Sequence, residues 1–477
     1  MVQLAWLSRN RGRVRQISVC CSASILPFGH GLLVAWPSLA IERLRRGDAM
    51  FEVSSGEISI IVSMMSLGMC LMPIPFGYVL VRLGRKTNLL LNAVVYAVAW
   101  GLVAFAPSPL WIMVGNFFAG LGSSIQLIIG PLYIAEVADK DVRGALISIY
   151  IMAIAIGQVF MTSIGIFVSY FELNLMSLII AIVAFFCILT TAVESTSWYL
   201  MVENEYEAER SFHYYWNTGT GTDRTQALAS LKETVALEMK SACSYVELFR
   251  TPSNIRGSII VIAQSVFQSA GGIVAILTYG STTLPAYDGF WKPNPTMALV
   301  SVLNLVFNIV SAGFVDRLGR KPLTIISNTG NALGTAMVAA YFAMERRTNW
   351  NVTDLEWLPY VGFLTYVAFY GSGMFTVPHI LVGELFPVNV RYHAAVLSTI
   401  SIAGSCAFFN YIYLGVSQVA GVDVMFLIFT LCSIFATAFS WIFMFETKNL
   451  SLADIQAKLT RNSTRASDPT PELENRR

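Results

Sequence analysis

The side chains of this chain best placed to do chemistry are charged, and they recur twice in the same order. Arg85 in "LVRLGRKTNL" (Leu80 to Leu89) has its counterpart, 235 positions on, at Arg320 in "VDRLGRKPL" (Val315 to Leu323). Glu136 stands seven residues before Arg143 in "YIAEVADKDVRGA", and Glu384 stands seven before Arg391 in "LVGELFPVNVRYHA". Glu194 in "VESTSW" recurs as Glu446 in "FETKNL", 252 positions later. A guanidinium holds two acceptors in a fixed fork, so Arg85 and Arg320 suit charge-assisted bonds to Glu136, Glu384, Glu194 and Glu446 or to helix C-terminal carbonyls. With Arg143, Asp316 and Arg391 these residues form a candidate gate that ties two halves together when one side is shut. A bias of a few kcal/mol is enough to shift such a two-state equilibrium. The plainer alternative is that they anchor loops by the positive-inside rule. The copies differ at one position, Val81 against Asp316, so the second copy is expected to hold more tightly.

A second set of residues is neutral. Gln264, Gln268, Ser269, Asn304, Asn308 and His379 are polar side chains inside long apolar runs. Amides and hydroxyls in such surroundings replace the water bonds that a polyhydroxylated solute gives up. His379 can serve as substrate donor or proton sensor, or simply pack against a helix carbonyl, and His30 has the same choices. Four dispersed histidines make no metal cluster, and seven cysteines show no paired CxxC spacing. No cofactor is expected. No nucleophile, base and orienting group stand in register, so the chain does not read as an enzyme. "NTGTGT" at Asn217 to Thr222 lacks the strand and the Lys-Ser/Thr of a phosphate loop.

The elements that must position these residues are membrane helices. Hydrophobic residues make up 55% of the 477 and charged residues only 13%, with mean hydropathy +0.61. A soluble chain carries about a quarter charged residues, so the composition is that of a polytopic membrane protein. A net charge of +2 in scattered short loops gives no surface for nucleic acid. A hydrocarbon layer of about 30 Å needs about 20 apolar residues per crossing. Such runs fall near 17–40, 57–81, 87–106, 109–137, 144–168, 173–193, 254–280, 295–315, 322–344, 358–382, 394–419 and 422–445. The basic "MVQLAWLSRNRGRVRQ" also fits the start of a secretory signal, but the following run is too long and lacks a cleavage site.

Charge then orients the bundle. Thirteen Lys and Arg residues (Arg9, Arg11, Arg13, Arg15, Arg82, Arg85, Lys86, Lys140, Arg143, Arg317, Arg320, Lys321, Arg391) gather on one side and six (Arg43, Arg45, Arg46, Lys292, Arg346, Arg347) on the other. Both termini are therefore expected in the cytoplasm. The sequon at Asn351 falls on the outer side as a glycosylation candidate, and those at Asn449 and Asn462 on the inner side. The expected organisation is a cytoplasmic N-terminus (1–16), a six-helix half (17–200), a cytoplasmic linker with short amphipathic helices (201–252), a second six-helix half (253–446) and a cytoplasmic tail (447–477). Parallel repeats of this kind are a known transporter plan.

Taken together, "GRK" after the second and eighth helices, "VESTSWYL", "GELFPVNVR" and "FETKNLSLADIQ" make the chain resemble the sugar-porter branch of the major facilitator superfamily over about residues 17 to 458. "LLVAWPSLAIERL" is similar to insect facilitated sugar or trehalose transporters. The resemblance implies an all-α fold of twelve transmembrane helices in two pseudo-symmetric halves, alternating access, and a sugar site built from helices five, seven, eight and ten. Gln268 and Asn304 match the family's amides; Ser269, Val274, Ile151, Thr376, His379, Ile402 and Cys406 depart from it. Each hydrogen bond lost to a polar substrate costs about 0.5 to 1.5 kcal/mol, so the pocket is not expected to be tuned for ordinary glucose. Gln264, Ser269, Asn308 and His379 are the candidates to compensate. The first helix carries no acidic residue and helix four has Asn116 where the family often has Arg, which favours facilitated diffusion over symport. The expected function is plasma-membrane transport of a sugar-class solute; a proton-linked or non-sugar carrier and a non-transporting sensor are the alternatives. The bilayer is the expected partner, and nothing in the sequence speaks to oligomeric state.

Overall fold

The structure, a computed structural model, describes residues 11–48, 51–73, 82–216, 221–240, 245–285, 292–448, 450 and 454–460. In the first half, α1 (Arg11–Ala23) and α2 (Ile25–Arg46) make one path across the apolar layer. It is followed by α3 (Ser55–Leu71), α4 (Arg85–Ala104), α5 (Pro109–Val137), α6 (Lys140–Ile164) and α7 (Tyr170–Thr191). Two short helices, α8 (Thr196–Met201) and α9 (Glu205–Tyr215), and the 20-residue α10 (Gly221–Lys240) follow at the polar interval. The second half repeats the count: α11 (Pro252–Ala270) with α12 (Ile273–Thr283), α13 (Pro293–Leu318), α14 (Arg320–Arg347), α15 (Leu358–Phe369) with α16 (Val377–Leu385), α17 (Val388–Val419) and α18 (Val422–Phe443).

Among the described residues, nine of these paths are long and apolar enough to cross a bilayer. The other three have local reasons for falling short. Helix α3 is described over only 17 residues, α14 is charged at both ends, and a π-helical turn over Tyr370–Met374 interrupts the path from α15 to α16. Three expected continuous helices are thus interrupted, the tenth by this turn. The seventh divides at Gly271 and Gly272, where φ of +110° at Gly272 is a left-handed conformation open to glycine at no steric cost. The first bends at Ser24, because Pro27 has no N–H for the Ala23 carbonyl and Ser24 turns its hydroxyl back to Cys20.

Small residues let these helices meet backbone to backbone. Gly31 on α2 lies against the Ile154 carbonyl and Gly157 on α6, while Gly68 on α3 lies against Phe117 and Gly120 on α5 against the Met65 carbonyl. Without a hydrophobic drive between helices in lipid, such close approach is what holds them. The core of the first half centres on Trp36, Tyr96, Trp100, Tyr133 and Tyr150. That of the second centres on Tyr279, Phe363, Tyr366 and Phe426, and it takes in Ile41, Ile58 and Val62 from the first half. The halves therefore share an apolar core at the end that carries Arg43 and Asn351. In the linker, α9 buries Ala208, Phe212 and Tyr215; the Tyr215 backbone carbonyl accepts from Gln16 (3.1 Å) and its hydroxyl lies 2.9 Å from that of Tyr133.

Candidate functional site

The duplicated charges build two copies of one clamp. Gly84 and Gly319 precede α4 and α14 with φ of +86° and +93°, a turn that leaves the first helical N–H groups pointing at an approaching carboxylate. Glu194 accepts from the backbone N–H of Arg85 (2.7 Å), Lys86 (3.0 Å) and Ser195 (3.1 Å). Glu446 accepts from those of Arg320 (2.9 Å), Lys321 (3.1 Å), Thr447 (3.0 Å) and Lys448 (2.9 Å). A Cβ on either glycine would stand 2.5 Å from the carboxylate. Each arginine then reaches a second acid. Arg85 donates to Glu136 from Nε (3.1 Å) and Nη2 (2.9 Å), and Arg320 Nη2 lies 2.8 Å from Glu384. A hydroxyl completes each copy, Ser195 bonding Glu136 and Thr447 bonding Glu384 (2.6 Å).

This geometry bears on the gate in three respects. Every one of these bonds lies within one half, so they clamp each half internally: helix N-terminal N–H groups hold Glu194 and Glu446, and same-half acids take the side chains of Arg85 and Arg320. Arg143 and Arg391, expected to join the acids, instead donate to the carbonyls of Ala138 (3.4 Å) and Phe386 (3.3 Å), five residues back, and so anchor their own turns. The first copy is the drier of the two. Side-chain exposure is 3% and 10% for Arg85 and Glu136, against 12% and 24% for Arg320 and Glu384. The side chain of Asp316 lies outside the described residues, as does Val81. Burial pushes the Glu194 carboxyl above the usual range despite its backbone donors. At Glu446 burial acts the same way but the four N–H donors outweigh it, and the group sits below that range.

The neutral set meets where the halves touch in mid-layer. Asn304 on α13 donates to Gln158 Oε1 on α6 at 3.0 Å and accepts from Asn308 at 3.2 Å, an amide chain that crosses between halves. Beside it runs the π-helical turn, with Gly371 against Asn304. Gln268 donates to the Phe375 carbonyl at 3.4 Å; its Oε1, like Asn308 Oδ1, is buried without a hydrogen-bond partner. Ser269 bonds the Ile402 carbonyl (3.3 Å) and lies 3.0 Å from the Cys406 sulfur. His379 is exposed and stands edge-on to Phe375 at 6.5 Å, which is not the bonded packing position. His30, by contrast, is buried and bonded to Ser123 at 2.8 Å. Gln264 does not join the group: its amide donates to Ser440 on α18 at 2.9 Å, inside the second half. Sequence reading missed Gln158, although a lone amide in the apolar "IMAIAIGQVF" was there to be weighed.

At the opposite end from the clamps the halves are joined. Ser281 donates to the Ser38 carbonyl, and Asn294 to Glu42 at 2.9 Å. The Tyr279 and Tyr413 rings stack at 4.5 Å beneath them. Asn351 lies exposed at this end, its side-chain oxygen accepting from the N–H (3.1 Å) and hydroxyl (2.6 Å) of Thr353.

Comparison with known proteins places the fold. The family profile described as Sugar (and other) transporter matches residues 30–459. The facilitated trehalose transporter Tret1 of Bombyx mori is 24% identical over 425 residues, covering 89% of this chain and 83% of that protein. Sugar transporter ERD6-like 7 of Arabidopsis thaliana is 28% identical over 454 residues, 92% of each. Among solved structures, the inward-open conformation of the xylose transporter XylE from E. coli superposes with TM-score 0.77 at 21% identity, covering 93% of this chain and 99% of that one. XylE bound to 6-bromo-6-deoxy-D-glucose, named there as a major facilitator superfamily proton:xylose symporter, gives 0.70 at 20% identity over 94% and 100%. The shared architecture is that fold.

Proposed function

Because the chain belongs to the sugar (and other) transporter family, we propose that it carries a sugar or sugar-like solute across a membrane by facilitated diffusion, the two halves alternating access to a site between them. The observation that carries this reading is the Gln158–Asn304–Asn308 amide chain, which bridges the halves in mid-layer. Next to it the buried carbonyl oxygens of Gln268 and Asn308 have no protein partner. A buried acceptor left unpaired costs about 1 to 3 kcal/mol, and a solute hydroxyl supplies the missing donor. Ser269 and His379 extend this surface. We leave Gln264 out: its Oε1 is unpaired too, but its amide is held by Ser440 on α18, inside the second half.

The two clamps stiffen each half so that it rocks as a body, and the joined Ser38, Glu42, Ser281 and Asn294 end is the side that must part for access from outside. In our reading both termini and the 201–252 linker are cytoplasmic, the protein sits in the plasma membrane, Asn351 is glycosylated, and no chemical conversion accompanies passage. Exposed His379 supports a second reading, in which passage responds to pH. One assay decides. The chain is expressed in transporter-null cells, and uptake of labelled trehalose, glucose, fructose and polyols is measured at two external pH values. pH-independent uptake of at least one sugar supports diffusion, and pH-driven uptake supports the second reading. Silence with normal surface delivery refutes both.

A further inference from the structure

Helices α14 and α18 part on their lipid-facing side and close again at both ends. At one end the Thr335 and Thr430 hydroxyls meet at 3.0 Å. At the other, Lys321 Nζ donates to the Trp441 carbonyl at 2.7 Å. Between them lies a groove of about 440 Å³ walled by Ile325, Thr329, Ala332, Ile434, Thr437 and Ala438, with Trp441 at its mouth. Ile434 and Trp441 are 53% and 68% exposed, so the groove opens toward the bilayer.

Its two hydroxyls are turned away. Thr329 donates to the Ile325 carbonyl (2.8 Å) and Thr437 to that of Ser433 (2.9 Å), which leaves methyl groups on the wall. An occupant with polar atoms along its length would find no partners there. From Lys321 to Ala332 the helix rises about 16 Å, roughly half the hydrocarbon layer, so the groove has the depth of one leaflet and is too shallow for a second membrane-spanning helix. The mouth is basic. Lys321 carries three donors, of which the Trp441 carbonyl takes one. Lys448 reaches the Arg317 carbonyl at 2.6 Å, which brings a second ammonium to the same end, while the nearby Glu446 carboxylate is engaged by backbone N–H groups.

We propose that this groove is a binding site for an anionic phospholipid of the leaflet on the clamp side, one acyl chain lying between α14 and α18 and the phosphate resting on Lys321 and Lys448. The proposal rests on the membrane-spanning reading but not on the identity of the transported solute. The test reconstitutes the full chain in vesicles of phosphatidylcholine and phosphatidylserine, re-extracts it in mild detergent, and quantifies retained lipid by mass spectrometry. Phosphatidylserine should be enriched over its share of the vesicle. Lys321→Gln should cut that enrichment about fivefold, the effect of one interfacial cation, and Ala438→Trp, which fills the groove, should abolish retention of both lipids. Leu431→Trp, exposed on the same helix outside the groove, should change nothing. A wild-type ratio equal to that of the vesicle, or full retention in Ala438→Trp, overturns the proposal. So does displacement of the phospholipid by cholesterol, or a cross-linked dimer across this face. None of these readouts depends on transport, so the outcome is separate from that of the uptake assay.

Discussion

Removing the acid from each clamp should cost unequal amounts, and the structure says which is larger. In Glu136→Ala, Arg85 is left at 3% side-chain exposure without its carboxylate. Breaking a buried pair from one side costs about 3 to 5 kcal/mol, because the remaining charge stays desolvated. In Glu384→Ala, Arg320 is 12% exposed and its lost partner was 24% exposed, so water reaches the guanidinium. There the loss should be closer to 1 or 2 kcal/mol. For a body of one half's size about 2 to 4 °C of melting temperature goes with each kcal/mol, so the first variant should melt on the order of 10 °C lower and the second a few degrees lower. The assay is the thermal melt of purified protein followed by fluorescence-detected gel filtration. Replacing both members in Arg85→Met with Glu136→Leu should recover most of the loss, because no charge is left stranded. Equal losses, or a larger loss in Glu384→Ala, would refute the argument that burial sets the difference. If Glu136→Ala left the melt unchanged and only shifted access, the pair would be a latch between halves, not a clamp within one.

Other expectations follow from the same geometry. Asn304→Leu strips Gln158 of its donor in mid-layer and should weaken apparent substrate affinity by about tenfold with surface expression preserved, as read by uptake kinetics. Ser281→Ala and Asn294→Ala each remove a bond between halves; each should move the population toward outward access by about two- to tenfold, measured by labelling of a cysteine placed at Ser38. The two glutamates should give opposite pH signatures in the melting temperature. Glu194, raised by burial, adds stability that is complete below the ordinary carboxylate range and fades as pH climbs through its elevated value. Glu446, lowered, adds stability present above that range and lost as pH falls through its depressed value. Glu194→Gln should flatten the fall as pH rises above the ordinary carboxylate range and Glu446→Gln the fall as pH drops below it. A glycosidase-sensitive gel shift in cells should disappear in Asn351→Gln.

Much of the architecture was legible because charge is expensive in this chain and therefore sparse. Arg85 with Arg320, Glu136 with Glu384 and Glu194 with Glu446 stood out against apolar runs, and their shared order implied duplicated halves. What sequence could not give was direction. Glu194 and Glu446 turn to helix N-termini because Gly84 and Gly319 adopt positive φ, a backbone choice that "LGRK" permits but does not announce. Arg143 and Arg391 repeat at a spacing of seven after Glu136 and Glu384, a pattern that marks the duplication but not their partners; each bonds a carbonyl of its own turn. In the site, Gln264 and Gln268 share a helix face by spacing, yet Ser440 takes the first while the second turns to Phe375. Gln158 lies about two helical turns beyond Ile151 on the same helix, the position where the family resemblance implied an amide and this chain has none. The break at Gly272 and the π-helical turn at Tyr370–Met374 lie in glycine-bearing stretches, "SAGG" and "YGSG", that read equally well as close packing.

The most direct test of the transport reading is counterflow in proteoliposomes. The purified chain is reconstituted in vesicles loaded with an unlabelled sugar from those taken up by cells, then diluted into the same labelled sugar at equal pH on both sides. A carrier that alternates access to one site, with no ion coupling, predicts a transient accumulation of label above its external concentration, followed by decay to equilibrium, with the overshoot lost in Asn304→Leu. Label that enters only under an imposed proton gradient, or that never exceeds its external concentration, would contradict it.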